Sequence, residues 1–136
     1  MIQTFDTDTI IYKLLKDSTE LTSTISGGVY VYQRPFNSVL EDVVVNTIVL
    51  SQDSSPQIGT SNVNIHVKDK SISIGGLKQD MANIERLKEI SAIVLNILRT
   101  QIVPGLSISI ENQTTIPENE INQHYVNIRI NWNIHI

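Results

Sequence analysis

Residues 125–136 read YVNIRINWNIHI, and this stretch decides the fold. Its apolar side chains fall on every second position: Val126, Ile128, Ile130, Trp132, Ile134 and Ile136. Tyr125, Asn127, Arg129, Asn131, Asn133 and His135 lie between them. Side chains alternate across a β-strand, so the even positions face a core and the odd positions face water or a partner. The pattern outruns an ordinary strand of about five or six residues. Unpaired, it would expose a row of backbone donors and acceptors and invite aggregation. It must pair inside a sheet, with helices or a second sheet over its apolar face.

Working back from this strand, residues 106–110 repeat the alternation on a smaller scale, with Leu106, Ile108 and Ile110 separated by serines. Residues 111–123 are polar, contain Pro117 and read as a loop. Upstream, Ile84, Leu87, Ile90, Val94, Ile97 and Leu98 recur at helical spacing, widened by Ile93 and Leu95. That stripe predicts a helix over 81–101, capped by Asp80, with Asn83, Arg86, Glu89 and Arg99 on its wet side and Pro104-Gly105 beyond its end. Near the start, Ile10, Ile11, Leu14 and Leu15 predict a first helix over 7–17, with Asp6, Thr7 and Asp8 as N-cap candidates. A polar connection over 18–26 carries two apolar anchors, Leu21 and Ile25.

Between the helices lie three strand signals. Residues 29–33 are β-branched and aromatic, and Arg34-Pro35 ends them. After a loop over 36–41, residues 42–51 are apolar on both faces, with Val43, Val45 and Val49 on one and Val44, Ile48 and Leu50 on the other. A strand of that kind sits inside its sheet. Residues 60–69 send Val63, Ile65 and Val67 inward and Asn62, Asn64, His66 and Lys68 outward. The segment joining these two strands, QDSSPQIG over 52–59, is too long for a tight hairpin and predicts a protruding loop. Residues 70–76 alternate briefly before Gly75-Gly76 and leave strand and loop both open. The sum is an α+β fold: a mostly antiparallel sheet of four to five strands with two helices packed on its apolar face, in one domain over 1–136.

Composition narrows the function. A chain of 136 residues with 40% hydrophobic content can bury a real core. It has no Cys, which rules out disulfides and thiolate metal sites and suits a reducing compartment. The first residues lack the basic and apolar regions of a signal peptide, and Asn96 and Arg99 interrupt the apolar run of the second helix, so no membrane span is expected. The net charge is -4 with scattered cations, which argues against nucleic-acid binding through a phosphate-neutralising patch. Charged residues make up 18% of the chain, below the norm of about 25%. Asn, Ser, Thr and Gln supply the polar surface instead, and uncharged amides are cheaper to bury against a partner than ions are.

Catalytic signatures are missing. His66, His124 and His135 show no helical metal-ligand spacing. Glu118-x-Glu120 beside Pro117 lacks the dense oxygen ligands of a hard-cation loop and reads as solvated charge. Gly27-Gly28 and Gly75-Gly76 lack P-loop or dinucleotide spacing and read as turns. No Gly-x-Ser-x-Gly elbow occurs, and no serine has a recognisable base. The expectation is therefore a protein that is not an enzyme and uses no metal or cofactor. What remains is surface, above all Arg129 among Asn127, Asn131 and Asn133. Such a face reads equally as solvated sheet or as an interface built from directional hydrogen bonds.

In order along the chain, IIYKLLKDS, GGVYVYQRP, EDVVVNTIVL, QIGTSNVNIHV, ERLKEISAIVLNIL, GLSISIE and HYVNIRINWNI resemble the tail-terminator, or tail-completion, proteins of long-tailed bacteriophages. The resemblance rests on spacing and alternation and covers nearly the whole chain. It implies a virion structural protein, assembled in the host cytoplasm, that forms a ring with itself, commonly a hexamer. The ring would cap the tail tube and join it to the head connector at the neck, with DNA free to pass through its lumen. By position, the implied contacts fall on Gln52, Asp53 and Gln57 of the predicted loop and on Asn62, Asn64, His66, Asn127, Arg129 and Asn131 of the outward strand faces. The competing readings are another small neck or head-completion protein, a cytosolic α+β protein-binding module, and an enzyme assembled from distant His and carboxylate residues.

Overall fold

The computed structural model describes Met1–His135; Ile136, the last apolar position of the terminal pattern, lies outside the described residues. The chain runs α1 (Thr4–Lys16), α2 (Thr19–Thr24), β1 (Val29–Val31), β2 (Asp42–Leu50), β3 (Gln57–Lys68), β4 (Lys70–Ile74), β5 (Leu77–Met81), α3 (Ile84–Thr100), β6 (Leu106–Glu118), a short 3-10 turn (Asn119–Ile121) and β7 (Gln123–Ile134). Five strands form the main sheet in the order β1-β2-β3-β7-β6, and β4 and β5 form a separate two-stranded sheet. The main sheet is antiparallel except where β1 runs parallel to β2. The α+β class and largely antiparallel sheet hold, with three α-helices rather than two.

The terminal strand is interior to the sheet. β7 pairs along its whole length with β3 on one side and β6 on the other. Its even positions Val126, Ile128, Ile130, Trp132 and Ile134 are all at most 2% exposed. They join Val43, Val45, Val63, Ile65 and Val67 in one apolar layer, and Ile11, Leu15, Leu21, Leu87, Ile90, Val94 and Leu98 of the helices close over it. Full burial of one such side chain is worth about 1.5–3 kcal/mol, so this layer dominates the energetics.

Several boundaries move for identifiable reasons. α1 begins at Thr4, because the Asp6 carboxylate accepts from the Gln3 backbone N–H at 2.7 Å and supplies the reciprocal half of a cap. Thr7 and Asp8 therefore sit inside the helix, buried, instead of capping it. The polar connection contains α2, capped by Ser18, and both of its anchors, Leu21 and Ile25, are buried. α3 is capped by Asn83, whose Oδ1 accepts from the Arg86 N–H at 3.3 Å. Asp80 is in β5 opposite Ser71, not at a cap. At the helix start Ile84 stands 59% exposed, off the apolar stripe.

The alternation of residues 70–76 resolves into a hairpin, with Gly75 and Gly76 both at positive φ in its turn. Residues 111–118, read as loop, continue β6 to a length of 13 residues. A register shift between Ile110 and Asn112 places a bulge at the point where apolar alternation gives way to ENQTT. A second bulge between Thr47 and Val49 inverts the facing of β2. Val49, expected on the same face as Val43 and Val45, is 55% exposed while they are buried, and Leu50 is buried in its place.

A buried chain of hydroxyls crosses the core. Trp132 Nε1 donates to Ser61 Oγ at 2.7 Å, Ser61 bonds Thr47 Oγ1 at 2.7 Å, and Thr47 bonds Thr7 Oγ1 at 2.7 Å. Thr7 spends its one proton on the Thr4 carbonyl at 2.8 Å. Each hydroxyl has one proton to give, so the direction is fixed: Trp132 to Ser61 to Thr47 to Thr7 to the Thr4 carbonyl. The chain ties β7, β3 and β2 to α1.

Candidate functional site

The three helices cover one face of the main sheet, and the opposite face carries most of the candidate residues. Strand register lines them up. Asn62 lies opposite Arg129, Asn64 opposite Asn127, and Thr60 opposite Asn131, and Asn46 continues the Asn62 row onto β2. On the other side of β7, Asn112 is opposite Arg129 and Ser109 opposite Asn131. Asn127 Nδ2 donates to both Asn62 Oδ1 at 3.1 Å and Asn64 Oδ1 at 2.7 Å. Asn62, Asn64, Asn127, Arg129 and Asn131 are all half-buried, with neighbouring side chains standing against one another. Arg129 is the cation in this amide field. Its Nε is buried and has no hydrogen-bond partner among the described residues. A guanidinium N–H withdrawn from water without an acceptor costs free energy.

The face changes character towards each end. At one end Val49 and Ile58 are both more than half exposed. With Thr60, Ser107, Ser109 and Asn131 they line a shallow hollow of about 610 Å³. At the other end the loop between β1 and β2 folds over the sheet. Arg34 pairs with Asp42 at 3.3 Å and donates to Gln123 Oε1, while Gln123 Nε2 donates to the Ser38 carbonyl at 2.8 Å. Ser38 Oγ donates to Asp42 at 2.5 Å. These bonds hold the loop's polar groups inward and leave Phe36 88% and Val39 59% exposed.

His66 belongs to this charged end. Its Nδ1 lies 2.9 Å from Glu118 Oε1, and its ring leans on Tyr125 with centroids 5.0 Å apart. Burial, reinforced by the Arg34 charge, holds its pKa below the ordinary 6.5, despite the opposing pull of Glu118. The neutral ring then donates its Nδ1–H to Glu118. His66 is thus tied into an internal network.

The loop residues separate. Gln52 and Asp53 are exposed at the tip, Asp53 at positive φ. Gln57 is not on the loop: it opens β3 and is 2% exposed. Its Oε1 accepts from the Ile2 N–H at 3.1 Å, and its Nε2 donates to the Ile2 carbonyl at 3.0 Å and the Ser51 carbonyl at 2.7 Å. This glutamine pins the N-terminal segment to the base of the loop, which removes it from the exposed contact surface. The carboxamide can satisfy three backbone groups at once, which is why a polar residue is kept where an apolar one would be expected.

Sequence reading also missed a junction outside this face. Arg86, assigned to the wet side of its helix, forks onto Glu41 at 2.5 and 2.8 Å and donates to the Thr24 carbonyl. It also bonds Glu89 at 2.9 Å. The Arg86 bond holds the Glu41 carboxyl below its ordinary range. The fork locks α2, α3 and the loop before β2 together; its only signal in sequence is two opposite charges 45 residues apart.

Among the described residues no cluster of three or more His, Asp or Glu side chains is arranged to hold a metal ion, and no helix is long and apolar enough to cross a membrane. Among solved structures, the chain is similar in fold to a chain of the virion of a native gene transfer agent (GTA) particle, with a TM-score of 0.62 and 12% identity over 93% of this chain and 92% of that one. No protein-family model matches, and no curated protein does.

Proposed function

We propose that this chain is a structural subunit of a phage-like virion and that it acts by contact rather than catalysis. The observation that carries the reading is the fold shared with a chain of a gene transfer agent virion over nearly the full length of both. In its finer form, copies of the chain close into a ring, a hexamer, at the tail–neck junction. The ring caps the tail tube and meets the head connector, and DNA passes through its lumen. The amide face around Arg129 is the contact surface, with the exposed tip at Gln52 and Asp53 as a second point of attachment. Its supports are the low charge of the chain and the aligned amides around the half-buried Arg129. Such a surface gains directional hydrogen bonds on assembly and needs no perturbed acid or base.

Native mass spectrometry and negative-stain microscopy of the purified chain test this. The expected result is a single closed oligomer with a central opening that binds the end of purified tail tubes. A monomer at every concentration, with no binding to tubes, refutes the reading.

A further inference from the structure

Among the described residues, two parts of this chain are left without partners by its own fold. The first is the β4–β5 arm. Its strands pack on each other and hardly touch the body. A lone two-stranded hairpin is marginal in water, yet this one ends in Ile74 and Leu77, 51% and 72% exposed, around its glycine turn. The second is β6. It borders the main sheet with β7 on one side only, so one side of a 13-residue strand offers free backbone donors and acceptors. The opposite border, β1, is three residues long and offers little.

The two parts match in pattern and charge. Residues 71–74 and 107–110 are both Ser-Ile-Ser-Ile. Side by side, the two segments would put isoleucines on one face and serines on the other. Along β6 the half-buried Leu106, Ile108 and Ile110 already border the core and would receive the isoleucines of an added strand. β6 and the turn after it carry Glu111, Glu120 and a Glu118 already bonded to His66 at 2.9 Å, and no cation. The arm and its root carry Lys68, Lys70 and Lys78, against Asp80 and an Asp69 already bonded to His124 at 2.6 Å.

We propose that the β4–β5 arm of one copy adds to the free edge of β6 in a second copy, extending its main sheet through β4. This rests on the reading that the chain assembles with itself, and it adds an arm-to-edge contact to the one made by the amide face. Strand addition supplies affinity through main-chain hydrogen bonds and specificity through alternate side chains. The contact is head-to-tail, so every copy offers both an arm and an edge, and the series closes where the rotation closes.

The absence of Cys makes the test clean. S71C or S73C is placed on the arm and S107C or S109C on β6, all at exposed positions. Each arm variant of the full chain is mixed with each mass-tagged edge variant and oxidised, and the mixed disulfide is timed. The reference is the same arm variant mixed with S23C on α2, also exposed. Docking raises the local thiol concentration, so at least one arm–edge pair is expected to cross-link on the order of tenfold faster than the reference. Native mass spectrometry runs in parallel. If oligomers form but no arm–edge pair exceeds the reference, this proposal is overturned while self-assembly stands. If the chain stays monomeric and every pair cross-links at the reference rate, both fall.

Discussion

Ser61→Ala removes one buried hydroxyl at the centre of the hydrogen-bonded chain that runs from Trp132 to the Thr4 carbonyl. Ser61 is fully buried, accepts the Trp132 indole N–H at 2.7 Å and passes its own proton to Thr47 at 2.7 Å. Losing an ordinary hydrogen bond costs about 0.5–1.5 kcal/mol, but leaving a buried donor without an acceptor costs about 1–3 kcal/mol. The alanine variant does both, since the indole keeps its donor and loses its acceptor. The expected destabilisation is about 2–4 kcal/mol. Urea unfolding followed by far-ultraviolet circular dichroism reads it, because the signal survives when tryptophan is changed. Trp132→Phe removes the same donor, so the double variant Ser61→Ala/Trp132→Phe no longer contains an orphaned N–H. It should cost less than the sum of the single changes by about 1–2 kcal/mol. A cost below about 1 kcal/mol for Ser61→Ala, or a cycle without coupling, would refute the claim that the hydroxyl chain holds the indole.

The remaining perturbations probe other layers of the structure. Trp132→Ala should destabilise by about 3–5 kcal/mol, as a large aromatic lost from a filled core, measured by the same urea titration. Arg129→Ala should change stability by no more than about 0.5 kcal/mol, because the lost Nε has no partner, while oligomers on native mass spectrometry shift towards smaller species. Glu41→Gln should cost about 1–3 kcal/mol by breaking the fork with Arg86; because the folded Glu41 pKa is lowered, the fork's contribution is complete above its ordinary 4.5 and is lost as pH falls through the folded value. His66 is also lowered in the folded state, so its contribution is full above 6.5 and declines as pH falls from there towards the folded value. His66→Asn should flatten that decline in melting temperature, and an unchanged slope between about pH 7.5 and 5.5 would remove His66 as its cause.

Legibility in the sequence followed periodicity. The alternation of β7 survived intact, because a strand buried on one face and paired on both sides must keep its side-chain period. The stripe of α3 survived for the same reason, with Ile84 lying outside it at the first turn. Reading failed where a local rule was overridden. ENQTT reads as loop by composition, yet the long neighbour β7 supplies pairing partners along its whole length and holds those residues in β6. Val49 and Leu50 exchange faces at a bulge, which leaves no mark in hydrophobicity. Gln57 reads as loop polarity, yet it is buried because three backbone groups are within its reach.

The sequence alone determined the α+β class, the apolar layer of β7 and the outward set Asn127, Arg129 and Asn131, since each follows from the two-residue or 3.6-residue repeat of a chain beside a core. Only the tertiary structure decided what those outward residues meet. Register put Asn62, Asn64 and Asn127 within bonding distance of one another, left the Arg129 Nε without an acceptor, drew His66 into a bond with Glu118, and sent β4–β5 away from the body as a free arm. Pairings between residues tens of positions apart depend on how strands stack and where bulges fall. Those outcomes are set by the packing of the whole chain rather than by any local window.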